Sequence, residues 1–222
     1  RLGSNGRMGN QLFQYAALRG IAEHHGYDWV IPPEDTPEQS NYGMHEAFDI
    51  PEKNVGYINP NVTMQSIYSD QTIQMMNPGV KTAQEKSYGF DKELFDNFQD
   101  GTNLDGYLQS YKYFENIREQ LLEELKFKDD ILEPCKEFVS EYEKLIFLHV
   151  RRGDATRTEK HREMFPMPTW EYYEEALSYF DDDTYVFVTS DDVEWCQKQE
   201  FFSDDRFLIR DTVELYDHKH RD

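Results

Sequence analysis

Leu145-Ile-Phe-Leu-His-Val150, followed at once by Arg151-Arg152-Gly153-Asp154, is the stretch that decides the fold of this 222-residue chain. A nearly continuous apolar run of this length is typical of a buried strand in a parallel sheet. Two more strand-like runs follow, Thr184–Thr189 and Arg206–Ile209, and helical spacing of apolar residues separates the three runs. The alternation of strands and helices predicts an α/β fold with a parallel sheet and right-handed crossovers.

The residues before this run carry weaker patterns. From residue 32 to residue 101, Pro, Gly, Asn, Tyr and Met are scattered with little periodicity, which indicates short strands and loops. A Gly-rich segment leads into the first helical pattern, and Gly26 ends it. Helices are predicted over Gln11–His25, Glu115–Phe127 with an apolar face of Ile117, Leu121, Leu122 and Leu125, and Ile131–Lys144 with Pro134 in its first turn.

The change of pattern near Lys144 predicts two domains. Residues 1–144 are expected to form a mixed α/β domain, and residues 145–222 a Rossmann-like domain. The chain opens at Arg1, directly before the Gly-rich segment, and stops soon after a strand. We therefore expect a chain truncated at both ends, with the second domain incomplete at its C-terminus.

The composition limits the classes of partner and compartment. There are 44 acidic and 23 basic side chains, a formal charge of −21, and 38% of the residues are apolar, which is enough for a core. This charge disfavours binding to nucleic acid or to anionic lipid, since both need a basic face. The chain has two cysteines, no apolar run of about 18 residues and no signal peptide, so we expect a cytoplasmic protein, soluble or peripheral.

Residues that follow the predicted strands are the first candidates for a site, because ligands bind beyond the carboxyl ends of parallel strands. Arg151 and Arg152 offer planar forks that suit phosphate oxygens, and Gly153 permits close approach of the backbone. Ser190-Asp191-Asp192 follows the second strand and is expected at the same edge. Asp154 can hold one arginine in place, and a surface network of Arg and Asp is the alternative interpretation.

Three other candidates each allow two interpretations. His149, on the opposite face of the strand from its neighbours, is either a packed residue or part of the site. Asp191 and Asp192 either accept hydrogen bonds from a base or sugar, or cap the following helix. Asn10 lies in the Gly6–Gln11 loop before a helix N-terminus, where an anion is favoured, and is either an N-cap or a ligand-binding group.

Two further groups of residues concern metals and sugars. Asp181-Asp182-Asp183 resembles the D-x-D metal motif of some sugar transferases, but it precedes its strand and is predicted to be a solvated turn. No spacing of His, Cys and carboxylates suggests zinc, and no metal site is predicted. The aromatic run of Tyr107, Tyr111, Tyr113 and Phe114 either stacks on a sugar or packs in a core.

Four blocks of sequence together resemble one family, the α-1,2-fucosyltransferases of glycosyltransferase family 11. They are Gly6-Arg-Met-Gly-Asn-Gln-Leu-Phe-Gln-Tyr-Ala16, Gly106-Tyr-Leu-Gln-Ser-Tyr-Lys-Tyr-Phe114, His149-Val-Arg-Arg-Gly-Asp154, and Val188-Thr-Ser-Asp-Asp192 followed by Glu194-Trp195-Cys196. The third block matches the H-x-R-R-x-D motif that α-1,2-, α-1,6- and protein O-fucosyltransferases share. The blocks follow the family's order and span nearly the whole chain.

The resemblance implies a GT-B architecture, in which two Rossmann-like halves face a cleft. It implies an inverting transfer of fucose from GDP-fucose to a galactoside, with an α-1,2 linkage and without a metal ion or cofactor. Residues 1–144 would be the acceptor-side domain and residues 145–222 the donor domain. The implied donor-binding residues are His149, Arg151, Arg152, Gly9, Asn10, Asp191 and Asp192, and the implied catalytic residues are Arg151 on the β-phosphate and Asp154 as a base or as an anchor for an arginine.

The chain departs from the family pattern at its ends. Family members begin with a strand before the Gly-rich loop and continue into a D-x-x-L-M-S segment with a Ser/Phe/Trp-rich stretch that completes the nucleotide pocket. The alternative hypothesis is therefore a non-catalytic relative that binds a carbohydrate or a nucleotide.

Overall fold

The computed structural model describes residues 2, 6–33, 43–50, 54–56, 81–153, 156 and 158–209. It has a mixed α/β structure with small parallel sheets, and the chain divides into two compact units, Arg1–Ile131 and Leu132–Asp222. The helix before Lys144 packs on the sheet of the second unit, with the Phe138 ring 5.0 Å from the Phe187 ring. The assignment of an acceptor-side and a donor domain stays a prediction.

The first unit combines one long helix with short elements. Its strands are β1 (Lys81–Gln84) and β2 (Thr102–Asp105), which are parallel and in register from one end to the other. Residues 34–42, 51–53 and 57–80 lie outside the described residues, so the short strands and loops predicted there are tested only in part. The helices are α1 (Met8–His25), α2 (Met44–Ala47), α3 (Lys92–Asp96) and α4 (Arg118–Glu124), with 3₁₀ turns at Tyr111–Tyr113 and Glu115–Ile117 before α4.

Helix α1 lies at the centre of the first unit. It ends at Gly26, which has φ +71° and so ends the helix as predicted. It begins at Met8, three residues before the predicted start at Gln11, since the Gly-rich segment contributes the first turn. A Cβ on Gly20 would lie 2.0 Å from the Tyr113 carbonyl oxygen, so this glycine permits close packing of α1 on the first 3₁₀ turn.

A buried polar cluster links α1 to α4. The Tyr15 hydroxyl donates to Glu124 Oε2 over 2.9 Å, and Arg19 Nε donates to the same oxygen over 2.9 Å. The Arg19 guanidinium also lies over the Trp29 ring at 4.8 Å. Burial, followed by the Glu124 charge, raises the pKa of Tyr15 well above its ordinary value, so the hydroxyl remains a hydrogen-bond donor.

The predicted helix over Glu115–Phe127 is shorter in the structure. Its first turn is 3₁₀, and the α-helix covers Arg118–Glu124. Ile117 and Leu121 are buried as predicted, whereas Leu122 is exposed and its predicted place on the buried face is wrong. The 3₁₀ turn changes the angular spacing of side chains, which helical periodicity alone does not show.

The second unit has the predicted order of strands and helices. Strands β3 (Leu145–Val150), β4 (Tyr185–Ser190) and β5 (Phe207–Ile209) form a parallel sheet in the order β3–β4–β5, with Leu145 opposite Tyr185 and Val186 opposite Phe207. Helix α5 (Asp129–Ser140) begins in the first unit and lies mostly in the second, whose other helices are α6 (Glu159–Met164), α7 (Trp170–Leu177) and α8 (Val193–Gln197), with a 3₁₀ turn at Glu200–Phe202.

Predictions for the first turns of two helices have different outcomes. Thr169 caps α7 as predicted, because its side chain accepts a hydrogen bond from the Tyr172 amide. Pro134 lies inside α5 rather than in its first turn, since the helix begins at Asp129, two residues before the predicted start.

The two faces of the three-stranded sheet differ. Leu148, Val150 and Val188 are buried on one face against α7, α8 and the 3₁₀ turn. On the other face of β3, Phe147 is 61% exposed and His149 is also exposed. The parallel pairing was predicted, but the expectation of a strand buried on both faces is wrong for the described residues, because the apolar run contains a half-exposed face.

Candidate functional site

The carboxyl ends of β3 and β4 are joined by a carboxylate that binds two backbone amides. Asp191 Oδ1 accepts the Arg152 N–H over 2.7 Å, and Asp191 Oδ2 accepts the Gly153 N–H over 2.8 Å. A Cβ on Gly153 would lie 2.5 Å from Asp191 Oδ2, so the contact depends on a glycine. We call Asp191 with these two amides the second-unit clamp. It confirms that the residues after both strands lie at the same edge.

Arg152 is fixed by its neighbours. Its Nε donates to Asp192 Oδ2 over 2.9 Å, and its guanidinium lies 3.8 Å from the centre of the Trp195 ring. Trp195 stacks in turn on Trp170 at 5.7 Å with the rings nearly parallel. Asp192 also caps α8 by accepting the Trp195 N–H, so both of its oxygens are used within the protein. These contacts hold Arg152 on the core side of the sheet, and its predicted contact with a donor stays a prediction.

Arg151 and His149 lie on the other side. Both are exposed, in keeping with the alternation of side chains along an extended chain that sends Val150 and Arg152 to the core. His149 Nδ1 lies 3.2 Å from Thr189 Oγ1, which holds the imidazole at this edge of the sheet. Of the two arginines, Arg151 is therefore the more exposed one, and it follows His149 by two residues.

The structure describes two of the three acidic candidates. Asp191 and Asp192 bind protein groups as just described, and their predicted contact with a donor stays a prediction. Asp154 lies outside the described residues, so its role as a base or anchor also stays a prediction. The partner of Arg152 that the structure describes is Asp192, which the residues alone did not indicate.

The acidic triplet at the opposite end of the sheet is a solvated turn, as predicted. Asp181, Asp182 and Asp183 are exposed, and the Lys144 ammonium lies 2.7 Å from Asp181 and 2.9 Å from Asp183. The Lys144 hydrogen bond lowers the pKa of Asp181 below its ordinary value. Within the described ranges, no group of three or more His, Cys, Asp or Glu side chains is arranged to hold a metal ion.

The first unit has a second carboxylate that binds two backbone amides at the ends of β1 and β2. Glu85 Oε2 accepts the Tyr107 N–H over 3.1 Å and the Leu108 N–H over 3.0 Å. A Cβ on Gly106 would lie 2.6 Å from the Glu85 Cβ, so a glycine is needed here too. We call Glu85 with these two amides the first-unit clamp. It holds Leu108 at φ +55°, a left-handed conformation that is uncommon for a non-glycine residue.

The predicted loop residues Gly9 and Asn10 lie in the first turn of α1. Asn10 is not the N-cap; that position is Arg7, which makes no side-chain capping bond. The interpretation of Asn10 as an N-cap is therefore wrong. Its Oδ1 instead accepts a hydrogen bond from Gln109 Nε2 over 2.6 Å, which joins the start of α1 to the segment after the first-unit clamp. Contact of Gly9 and Asn10 with a donor stays a prediction.

The aromatic run after β2 divides between the two predicted fates. Tyr113 is fully buried, and Phe114 packs against the core, whereas Tyr107 and Tyr111 are exposed. The Tyr107 ring stacks on Tyr88 with centroids 6.3 Å apart and an angle of 29° between the planes. Only part of the run is therefore available to a ligand.

Comparison with protein families then decides the relationship. The family model described as Glycosyl transferase family 11 matches residues 2–209. The chain belongs to glycosyltransferase family 11. The match includes both carboxylate clamps, Arg151 and the start of α1.

Known relatives of this family 11 protein are similar at low identity. An α-1,2-colitosyltransferase of Escherichia coli is 25% identical over 95% of this chain and 76% of its own length. A galactoside 2-α-L-fucosyltransferase of Bos taurus is 22% identical over 89% of this chain and 50% of its own. A galactoside α-(1,2)-fucosyltransferase 2 of Pongo pygmaeus is 23% identical over 87% and 53%. The chain thus spans about half the length of these two fucosyltransferases.

No solved structure matches this family 11 protein. In the parts of the chain that the structure describes, no helix is both long and apolar enough to cross a membrane.

Several residues of these two edges were not predicted from the sequence. Glu85 lies in a region without periodicity and gives no signal before its amide partners are seen. Gln109 lies inside a block that resembles the family, but its bond to Asn10 was not predicted. Tyr107 was named as a residue that either stacks on a sugar or packs in a core, but its stacking on Tyr88 was not predicted. Gly106 offered a usable signal, because a glycine directly after a strand indicates close approach of backbone or ligand.

Proposed function

We propose that this protein transfers an L-fucosyl group from GDP-fucose to a hydroxyl of a galactose-containing glycan, with inversion and with an α-1,2 linkage. Membership of glycosyltransferase family 11 supports glycosyl transfer, and the matched relatives are named as α-1,2-fucosyltransferases and an α-1,2-colitosyltransferase. In this proposal the two units correspond to the acceptor-side and donor halves of a GT-B-like enzyme.

The observation that supports the donor assignment is the exposure of Arg151, two residues after His149, at the carboxyl end of β3. As the bond to the sugar breaks, negative charge develops on the departing GDP. A guanidinium placed at the β-phosphate stabilises that charge, and its planar fork suits two phosphate oxygens. Arg152 cannot serve in the same way without leaving Asp192 and Trp195. In this role Arg151 is the catalytic residue, and Arg152 supports the backbone that carries it.

The acceptor step needs a group that takes a proton. For an inverting reaction, the acceptor hydroxyl attacks the face of the sugar opposite to GDP, and a carboxylate base helps to deprotonate it. Asp154 stays the proposed candidate. We propose that no divalent cation is needed, because a guanidinium supplies the charge that a metal ion supplies elsewhere.

A donor screen tests the proposal. GDP-fucose and GDP are expected to raise the melting temperature, GDP-mannose less and UDP-galactose not at all; a ligand at 100 times its Kd adds about 2.7 kcal/mol of stability. Turnover of GDP-fucose with lactose is then expected, and excess chelator should not abolish it. A preference for the colitosyl analogue of the donor would move the assignment toward the E. coli relative. Binding without turnover would favour the non-catalytic alternative, and activity that Mg²⁺ or Mn²⁺ restores after chelation would contradict the role of Arg151.

A further inference from the structure

The edge of the first unit after β1 and β2 has features of a ligand site. Its loop is held by the first-unit clamp at Glu85, and Leu108, at φ +55°, is only 1% exposed. A strained backbone persists where the surrounding structure fixes it, and such residues cluster at ligand sites. The two residues on either side of Leu108, Tyr107 and Gln109, are both exposed. The clamp therefore presents two side chains from one rigid segment.

The first of these side chains belongs to an exposed aromatic pair. Tyr88 is 86% exposed and Tyr107 38% exposed, and their rings are stacked. Tyr88 comes from the segment after β1 and Tyr107 from the segment after β2, so both ends of the parallel pair contribute. Two stacked tyrosine rings in water offer a flat apolar surface with hydroxyl groups at its rim.

The second side chain is an amide held in a fixed direction. Gln109 Nε2 donates to Asn10 Oδ1 over 2.6 Å. The Asn10 side chain itself packs on Gly6, where a Cβ would lie 2.0 Å from its amide nitrogen. The Gln109 amide keeps a carbonyl acceptor and a second N–H in its hydrogen-bonding capacity, which suits a ligand that carries several hydroxyl groups.

We propose that Tyr88, Tyr107 and Gln109 form a subsite that binds the acceptor as a neutral hexopyranoside, with the sugar stacked on the tyrosine pair and its hydroxyls bonded to the Gln109 amide. The nearby chain is acidic, with Glu85 and Asp105 beside the loop, and the Lys86 ammonium is paired with Glu93 at 2.7 Å. These two carboxylates disfavour a phosphate stacked on the tyrosine pair, whereas they do not repel an uncharged sugar. That the sugar is a galactoside rests on the proposed function.

The test separates the acceptor from the donor. Tyr107→Ala should raise the KM for lactose about tenfold, the scale of losing one ring contact. Tyr107→Phe should restore it, because the ring is kept. Hydrolysis of GDP-fucose by water, measured without acceptor, should stay within twofold of wild type in both variants. Tyr111→Ala removes a ring outside the pair that is more exposed, 62% against 38% for Tyr107, so it is the control and should leave the KM unchanged. Melting temperatures and circular dichroism check that each variant is folded.

A binding experiment covers the case in which no donor is turned over. Saturation-transfer NMR with methyl β-galactoside should show transfer to the sugar in wild type and Tyr111→Ala, and loss of it in Tyr107→Ala and Tyr88→Ala. Binding with this pattern but without GDP-fucose turnover would keep the subsite and overturn the proposed function. An unchanged KM, or equal saturation transfer in all variants, would overturn the subsite itself.

Discussion

The two strand-end regions of this protein use the same backbone device with different side chains. In each, a carboxylate after one parallel strand accepts two consecutive amides from the segment after its neighbour, and a glycine makes room for it. The second-unit clamp is flanked by the exposed Arg151, two residues after His149, whereas the first-unit clamp is flanked by a tyrosine pair and an amide. In our proposal the clamp fixes each loop, and the side chains next to it select the ligand: an anion at one edge and a neutral sugar at the other.

The largest effect is expected from Arg151→Lys. The substitution keeps the charge but removes the planar fork, so kcat/KM should fall about a hundredfold, corresponding to about 2.7 kcal/mol. The melting temperature should stay close to wild type, since Arg151 is exposed. Arg152→Lys is the matched control within the same motif. It loses the Asp192 bond and the Trp195 contact and should cost about 1 kcal/mol of stability in addition to activity. Near-wild-type turnover in Arg151→Lys would contradict the proposal that the anionic donor binds at this edge.

The glycines of the two clamps offer the next comparison. Gly106→Ala should destabilise the protein by about 2–3 kcal/mol, because Gly106 has φ +155° and its Cβ would meet the Glu85 Cβ, which cannot move without the backbone. Gly153→Ala should cost about 1–2 kcal/mol, because the Asp191 carboxylate that it meets can rotate away. Urea unfolding measures both values. The reverse order would show that the clamp of the second unit is the more rigid of the two.

How much of the fold and the candidate site could be predicted depends on whether a residue's role is set by neighbouring sequence or by distant contacts. β3 was predicted residue for residue, since an apolar run next to a polar motif is a local signal. The shared edge of Arg152 and Asp191 was predicted from the rule for parallel strands. Which arginine is locked was not, because the stacking of Trp195 on Trp170 depends on how α7 and α8 pack. Glu85 was missed for a similar reason: its partners, Tyr107 and Leu108, are 22 and 23 residues away.

The pH dependence of the free energy of unfolding tests the role of Tyr113, whose hydroxyl lies beside Glu85 of the first-unit clamp. The Tyr113 hydroxyl lies 3.5 Å from Glu85 Oε1 and accepts the Asp91 N–H over 2.9 Å. Burial, with smaller contributions from the Glu85 and Asp91 charges, raises the pKa of Tyr113 to about 12. The unfolded phenol loses its proton near its ordinary pKa, so the folded state holds the proton more tightly and stability falls as pH rises above about 10. Between pH 9 and pH 11 the loss from this group is about 1 kcal/mol. Tyr113→Phe should flatten this alkaline decline in chemical unfolding, and an unchanged slope would contradict it.

The smallest effect distinguishes how the two carboxylates bind their amides. Asp191 uses both oxygens, one for each amide, whereas Glu85 uses Oε2 for both. Asp191→Asn therefore turns an N–H donor toward an amide N–H and should cost about 1 kcal/mol, discounted because water reaches the site. Glu85→Gln can keep its carbonyl on both amides, while its amide nitrogen replaces only the long 3.5 Å contact of Oε1 with the Tyr113 hydroxyl, so it should cost less than Asp191→Asn. Equal costs in urea unfolding would mean that charge, rather than the number of acceptor oxygens, holds the loops.

Binding of one charged and one neutral ligand to the same three proteins tests the division between the edges most directly. Isothermal titration of GDP and saturation-transfer NMR of methyl β-galactoside would be carried out on wild type, Arg151→Lys and Tyr107→Ala. Arg151→Lys should weaken GDP binding about tenfold or more and leave the galactoside signal unchanged, while Tyr107→Ala should abolish the galactoside signal and leave the Kd of GDP within twofold. If either substitution weakened both ligands alike, the two edges would not have separate ligands, and the account would be wrong.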